Sequence, residues 1–197
     1  MRPVVPILAI ALTVVIAGLT HASAARAADA ATAGPALPPG SIYQLDAALV
    51  DQTGKRIGLD AHRGHPVIVT MFYASCPAAC PLLIDTIRAV ERSLDAKQRS
   101  QLRVLMVTVD PARDTPAALT ALAKSRRIDL ARWTLATSDE ATIRKVAALL
   151  SIQYRKLPDG DFNHSSVLTV LSRDGEILRQ SSQLGRVDPE IVAAATR

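Results

Sequence analysis

Cys76 and Cys80 are the chain's two cysteines, and both lie in one short run, Met71-Phe-Tyr-Ala-Ser-Cys-Pro-Ala-Ala-Cys-Pro81. A thiol pair this close can cycle between dithiol and disulfide, or hold a soft metal ion as thiolates. A purely structural bridge is a poor account of it, because closing so short a loop constrains little of the unfolded chain. Redox motifs of the thioredoxin type space their cysteines C-x-x-C, whereas this chain has C-x-x-x-C. The extra residue lengthens the arc, so the sulfurs can grip an ion between them. Disulfide formation stays open if the two Cα atoms come within about 7 Å. Two thiolates suit Cu(I) well and Zn(II) adequately, but a further ligand must come from elsewhere in the chain.

Histidine is the natural donor. Of the four histidines, His21 lies in the N-terminal apolar segment, and His62 and His65 flank Gly64 in a polar loop ahead of the cysteines. His164 stands apart in Asp161-Phe-Asn-His-Ser-Ser166, directly before the apolar run Val167-Leu-Thr-Val-Leu171. Thioredoxin folds place a cis-proline loop beside the cysteines at that point. Here a histidine occupies it, which makes His164 the candidate third ligand.

These residues need elements to position them. Pro66 to Tyr73 is apolar, β-branched and aromatic, and reads as a buried central strand. From Pro81 to Leu94, the residues Leu83, Ile84, Ile87, Val90 and Leu94 recur at helical spacing. The cysteines therefore fall at a strand-to-helix junction. Pro81 suits the first helical position and places Cys80 at the N-cap, where free amides and the helix dipole are expected to lower its thiol pKa. Arg103 to Val109 reads as a second buried strand. Thr115-Pro116 opens a helix to about Arg127, Trp133 to Ala136 is a short strand, and Ser138 or Asp139 caps a helix to about Leu150. Val167 to Leu171 turns through Arg173-Asp-Gly175 into Glu176 to Arg179 as a hairpin, and Asp188 to Ala195 forms a last helix. This alternation predicts an α/β thioredoxin-like fold, a central mixed sheet flanked by helices.

At 197 residues, with 49% hydrophobic and 21% charged residues, the chain has room for one domain with a real core. The net charge of +5, to which Arg2 and Arg26 contribute two, is too small and too evenly spread to argue for nucleic acid, and 3% aromatic residues offer few stacking surfaces. Arg2 followed by the apolar run Val4 to Leu19, and then by Ala22-Ser23-Ala24 and Ala25-Arg26-Ala27, reads as a secretory signal over 1–27. The alternative is an uncleaved membrane anchor, since the run of about sixteen apolar residues lies just under the spanning range of about 17–25. Both place the folded part outside the cytoplasm, in a periplasmic or similar extracytoplasmic setting. Residues 28–40, rich in Ala, Pro and Gly, read as a flexible linker, and 41–197 as the domain.

Phe72-Tyr-Ala-Ser-Cys76-Pro-Ala-Ala-Cys80-Pro81, Val107-Thr-Val-Asp110-Pro-Ala-Arg-Asp114-Thr-Pro116 and Asn163-His164-Ser165, in that order, resemble the Sco/SenC family of copper-binding proteins over about Ile42 to Leu184. The resemblance implies a copper chaperone that binds Cu(I), and also Cu(II), through Cys76, Cys80 and His164. It would help load the dinuclear copper centre of cytochrome c oxidase, with the copper-bearing subunit or another copper chaperone as partner. It equally implies a thiol-disulfide reductase toward the oxidase cysteines, in which Cys76 and Cys80 are the redox-active pair. For Asp110 and Asp114 it implies a part in redox function or docking, while turn and N-cap chemistry would account for the same acids. The Ala-Ala pair between the cysteines departs from relatives that carry an acidic and a larger apolar residue there. A thiol peroxidase, which needs an arginine beside one activated cysteine, fits poorly, because Arg88 is about two turns into the helix.

Overall fold

The computed structural model describes residues 36–76 and 79–197. The expected signal or anchor over 1–27, and most of the expected linker, lie outside the described residues.

A single 3-10 turn, Ile42–Gln44, leads into β1 (Leu49–Asp51) and β2 (Arg56–Ile57). Then come β3 (Val67–Phe72), α1 (Ala79–Ser93), α2 (Ala96–Gln101) and β4 (Arg103–Thr108). The chain continues through α3 (Pro116–Ser125), β5 (Trp133–Thr137) and α4 (Glu140–Leu149). It ends with the short pair β6 (Tyr154–Lys156) and β7 (Phe162–His164), then β8 (Leu168–Leu171), β9 (Ile177–Ser181) and α5 (Pro189–Ala194). Seven strands form one mixed sheet in the order β2-β1-β5-β4-β3-β8-β9, and β6 and β7 pair separately.

Strands β3, β4 and β5 run parallel, so each needs a helical crossover to return the chain, and α1 to α3 supply it. Strand β8 joins β3 antiparallel, with Val67 opposite Leu171 and Val69 opposite Thr169. Every residue of β3 is buried, as its unbroken apolar run requires of a strand covered on both faces. On α1, Leu83, Ile84, Ile87 and Val90 line the buried stripe. Each such side chain contributes about 1.5–3 kcal/mol by leaving water. The last turn of α1 is pinned by Glu91, whose Oε1 accepts from Arg132 Nη1 at 2.6 Å and from the buried Trp133 Nε1 at 3.0 Å. Helix α5 packs on β8, β9 and α1.

The anticipated α/β sheet is present, with the mixed strand directions expected of it. One local expectation is corrected. Helix α1 already includes Ala79, so Cys80 lies within its first turn rather than at the N-cap, and Pro81 is its third residue. Proline is tolerated there because amides of the first turn have no partner within the helix.

Candidate metal centre

Strand β3 delivers the chain to a turn, Tyr73 to Cys76, closed by the Cys76 N–H donating to the Tyr73 carbonyl at 3.2 Å. The turn folds Cys76 back over the start of α1, where the Cys80 N–H donates to Cys76 Sγ at 3.3 Å. Neither cysteine is in a disulfide, and both are buried.

The pair is asymmetric. Burial pushes the Cys80 thiol well above its ordinary value, with further upward contributions from Cys76 and from the Asp114 charge, and a backbone hydrogen bond at Tyr73 opposes them. The lowered Cys80 pKa expected from the sequence is therefore overturned, because desolvation outweighs the helix end. The amide at the start of α1 is spent on Cys76 instead. It is Cys76 Sγ that receives the stabilising donor.

Tyr73 is the neighbour that sequence reasoning passed over. Burial, followed by the Cys76 charge, raises the Tyr73 pKa to about 12. Its ring meets the His164 ring edge-on at 5.7 Å between centroids, and Phe162 at 5.5 Å. His164 ends β7, and its Nδ1 lies 3.3 Å from the Ser165 carbonyl. A carbonyl only accepts, so Nδ1 carries the proton and Nε2 keeps its lone pair. Burial lowers the His164 pKa and favours the neutral ring that a metal ligand must be.

The structure thus brings Cys76 and Cys80 together and sets His164 one aromatic ring away. Among the described residues, no group of three or more His, Cys, Asp or Glu side chains stands close enough to hold a metal. The donor set of two sulfurs and an imidazole suits a soft ion. His62 and His65 lie at the other end of β3, on the order of 20 Å away for a six-residue strand. There His62 Nε2 meets Thr134 Oγ1 at 3.0 Å.

Asp110 and Asp114 are both buried. Asp114 Oδ2 accepts from the Ala74 N–H at 2.9 Å and from the Thr108 hydroxyl, so it holds the cysteine turn against the end of β4. Burial raises its pKa. The N-cap of α3 is Thr115, not Asp114. The hairpin β6–β7 was also missed, although Leu157-Pro-Asp-Gly160 between aromatic residues is a turn signature. It forms that turn, with the Gly160 N–H donating to Leu157 O at 3.0 Å.

The SCO1/SenC family model matches residues 40–197. The chain belongs to the SCO1/SenC family. An SCO2-like protein of Rickettsia prowazekii is 26% identical over 137 residues, which are 66% of this chain and 65% of that protein. The chain spans about two thirds of the length of such curated relatives. Among solved structures of the family, Bradyrhizobium japonicum ScoI with copper bound is 28% identical with a TM-score of 0.64, covering 76% of this chain and 94% of that one. BsSco, a member of the Sco family of cytochrome c oxidase assembly proteins in which a disulfide switch was identified, shares the fold at 21% identity and a TM-score of 0.61, covering 76% and 91%. The thioredoxin-like fold expected from the sequence is the fold of these family structures.

Proposed function

We propose that this protein is an exported copper carrier that holds copper through Cys76 Sγ, Cys80 Sγ and His164 Nε2 and supports assembly of the dinuclear copper centre of cytochrome c oxidase. The observation that carries this reading is the buried thiol pair, joined by the Cys80 N–H donating to Cys76 Sγ, with His164 packed edge-on against the neighbouring Tyr73 ring and its Nε2 unprotonated. A copper-bound family member of the same fold supports it. Copper is the cargo. Cu(I) accepts two or three soft ligands, so two sulfurs can capture the ion and the imidazole can close the site as Tyr73 yields. Release follows by exchange of the same ligands onto an acceptor. If the N-terminal apolar segment stays uncleaved as an anchor, it would keep the domain beside the membrane that houses the acceptor.

The test is an anaerobic Cu(I) titration of the wild-type protein beside Cys76→Ser, Cys80→Ser and His164→Ala. One ion per chain is expected. Either serine variant should lose tight binding, and His164→Ala should weaken it by more than the about tenfold that loss of a supporting group costs. An unchanged affinity in His164→Ala would remove the imidazole from the site.

The asymmetry of the pair favours a second reading, a thiol-disulfide reductase. Cys76, with its amide donor, would attack a partner disulfide and form a mixed disulfide. Cys80 would then displace the partner, leaving a Cys76–Cys80 disulfide here and two thiols there. This cycle does not use the imidazole, so oxidase assembly that survives His164→Ala but not Cys80→Ser would favour the reductase.

A further inference from the structure

The copper site is built from two pieces of chain that do not touch through regular secondary structure. One is the turn after β3, which carries the sulfurs. The other is the β6–β7 hairpin, which carries His164 and belongs to its own two-stranded sheet. Behind the hairpin lies a cavity of about 320 Å³ whose lining includes Val109, Ile143, Tyr154 and Phe162, so the hairpin has space in which to shift. Something must fix its distance from the sulfurs.

We propose that Arg113 is a positioning residue for the copper site, acting through His164, and this inference rests on the reading of His164 as a ligand. Arg113 Nε is paired with the Asp110 carboxylate, and Arg113 Nη2 donates to the Gly160 carbonyl in the hairpin turn at 2.6 Å. The Asp161 charge adds to the attraction. Asp110 is itself fixed, being buried, with its backbone N–H donating to Thr108 Oγ1 at 3.0 Å. The Thr108 hydroxyl donates to Asp114, whose carboxylate holds Ala74 of the cysteine turn. The Asp114 N–H donates back to Asp110 O at 2.9 Å.

A continuous relay thus runs from Ala74 through Asp114, Thr108, Asp110 and Arg113 to Gly160. The segment from Thr108 to Asp114 works as a bracket, with the sulfur-bearing turn on one arm and the imidazole-bearing hairpin on the other. The planar guanidinium suits the outer arm because two of its nitrogens point in fixed, different directions. Lysine offers one charge on a flexible stem and cannot hold both partners in one geometry. Gly160 completes the fit: its φ of +87° is a conformation that side-chain-bearing residues rarely adopt, and it presents the carbonyl to Arg113.

The test is a double-mutant cycle on Cu(I) affinity, read by anaerobic competition with a chromophoric Cu(I) chelator, using Arg113→Ala, His164→Ala and the double variant. Arg113→Ala is expected to weaken Cu(I) binding about tenfold, as loss of a group supporting a ligand does. In the His164→Ala background it is expected to change affinity by less than about twofold, because its route to the metal is already gone. A general loosening of the fold would lower affinity equally in both backgrounds. Equal losses, or no loss in Arg113→Ala, would overturn the proposal while leaving His164 as a ligand. An unchanged affinity in His164→Ala alone would overturn the three-ligand reading, and the proposal with it. Should Arg113→Ala fail to fold, Arg113→Lys takes its place in the cycle with the same expected non-additivity.

Discussion

Cys76 and Cys80 share a helix end but not its benefit, and that difference decides which sulfur reacts first. The Cys80 amide donates to Cys76 Sγ, while burial drives the Cys80 thiol upward. The thiolate is the nucleophile, so an electrophile should find Cys76. Brief alkylation of the copper-free protein near pH 8, followed by peptide mass spectrometry, should label Cys76 at least about tenfold faster than Cys80. Preferential labelling of Cys80 would reverse the assignment. Both cysteines and His164 stand out as candidate donors from residue type and spacing. Which thiol takes the amide was not legible there, because it depends on a turn that brings residue 76 over residue 80.

At the scale of elements, the bracket from Thr108 to Asp114 carries more of the site than its turn-like sequence suggests. Asp114 satisfies the Ala74 N–H and the Thr108 hydroxyl with one buried oxygen. Truncation strands both donors, each costing about 1–3 kcal/mol when buried without a partner. Asp114→Ala is expected to lose about 2 kcal/mol or more in urea unfolding, whereas Asp114→Asn, whose amide oxygen can accept the same pair, should lose less than about 1 kcal/mol. The pH sign follows from burial, which raises the folded carboxyl above its unfolded value. Its favourable contribution is full below the unfolded value and is lost as pH rises through the folded one. The deficit of Asp114→Asn relative to wild type should therefore be larger in acid than at neutral pH. Strands β3 and β4 and helices α1, α3 and α4 were readable because apolar period and capping residues are local signals. The hairpin that carries His164 was not recognised, because its strands are three residues long and only its Pro-Asp-Gly turn announces it.

For the whole molecule, the end of the sheet away from the cysteines carries an acid sensitivity of its own. Burial, with Arg103 and His65 adding to it, lowers the His62 pKa to about 4 from its ordinary 6.5. Unfolded chains take up that proton as pH falls below 6.5, while the folded ring resists it until about 4. Stability from this group is thus full above pH 6.5 and is lost as pH falls through that window. The loss is on the order of 2 kcal/mol after discounting for the ring's partial exposure. Thermal unfolding followed between pH 7 and 4 should show a falling midpoint, and His62→Gln should flatten it. An equally steep fall in the variant would assign the sensitivity to other groups.

The order of strands and helices and the position of the cysteines at a strand-to-helix junction were set by local pattern. Hydrophobic period, capping residues and ligand chemistry act over a few residues at a time. The tertiary structure alone decided that Asp114 braces the cysteine turn, that the Tyr73 ring packs against His164, and that Arg113 joins the Asp110 carboxylate to the β6–β7 turn. Each of those contacts spans tens of residues of chain, and the desolvation that raises Cys80 exists only once the core has closed around it.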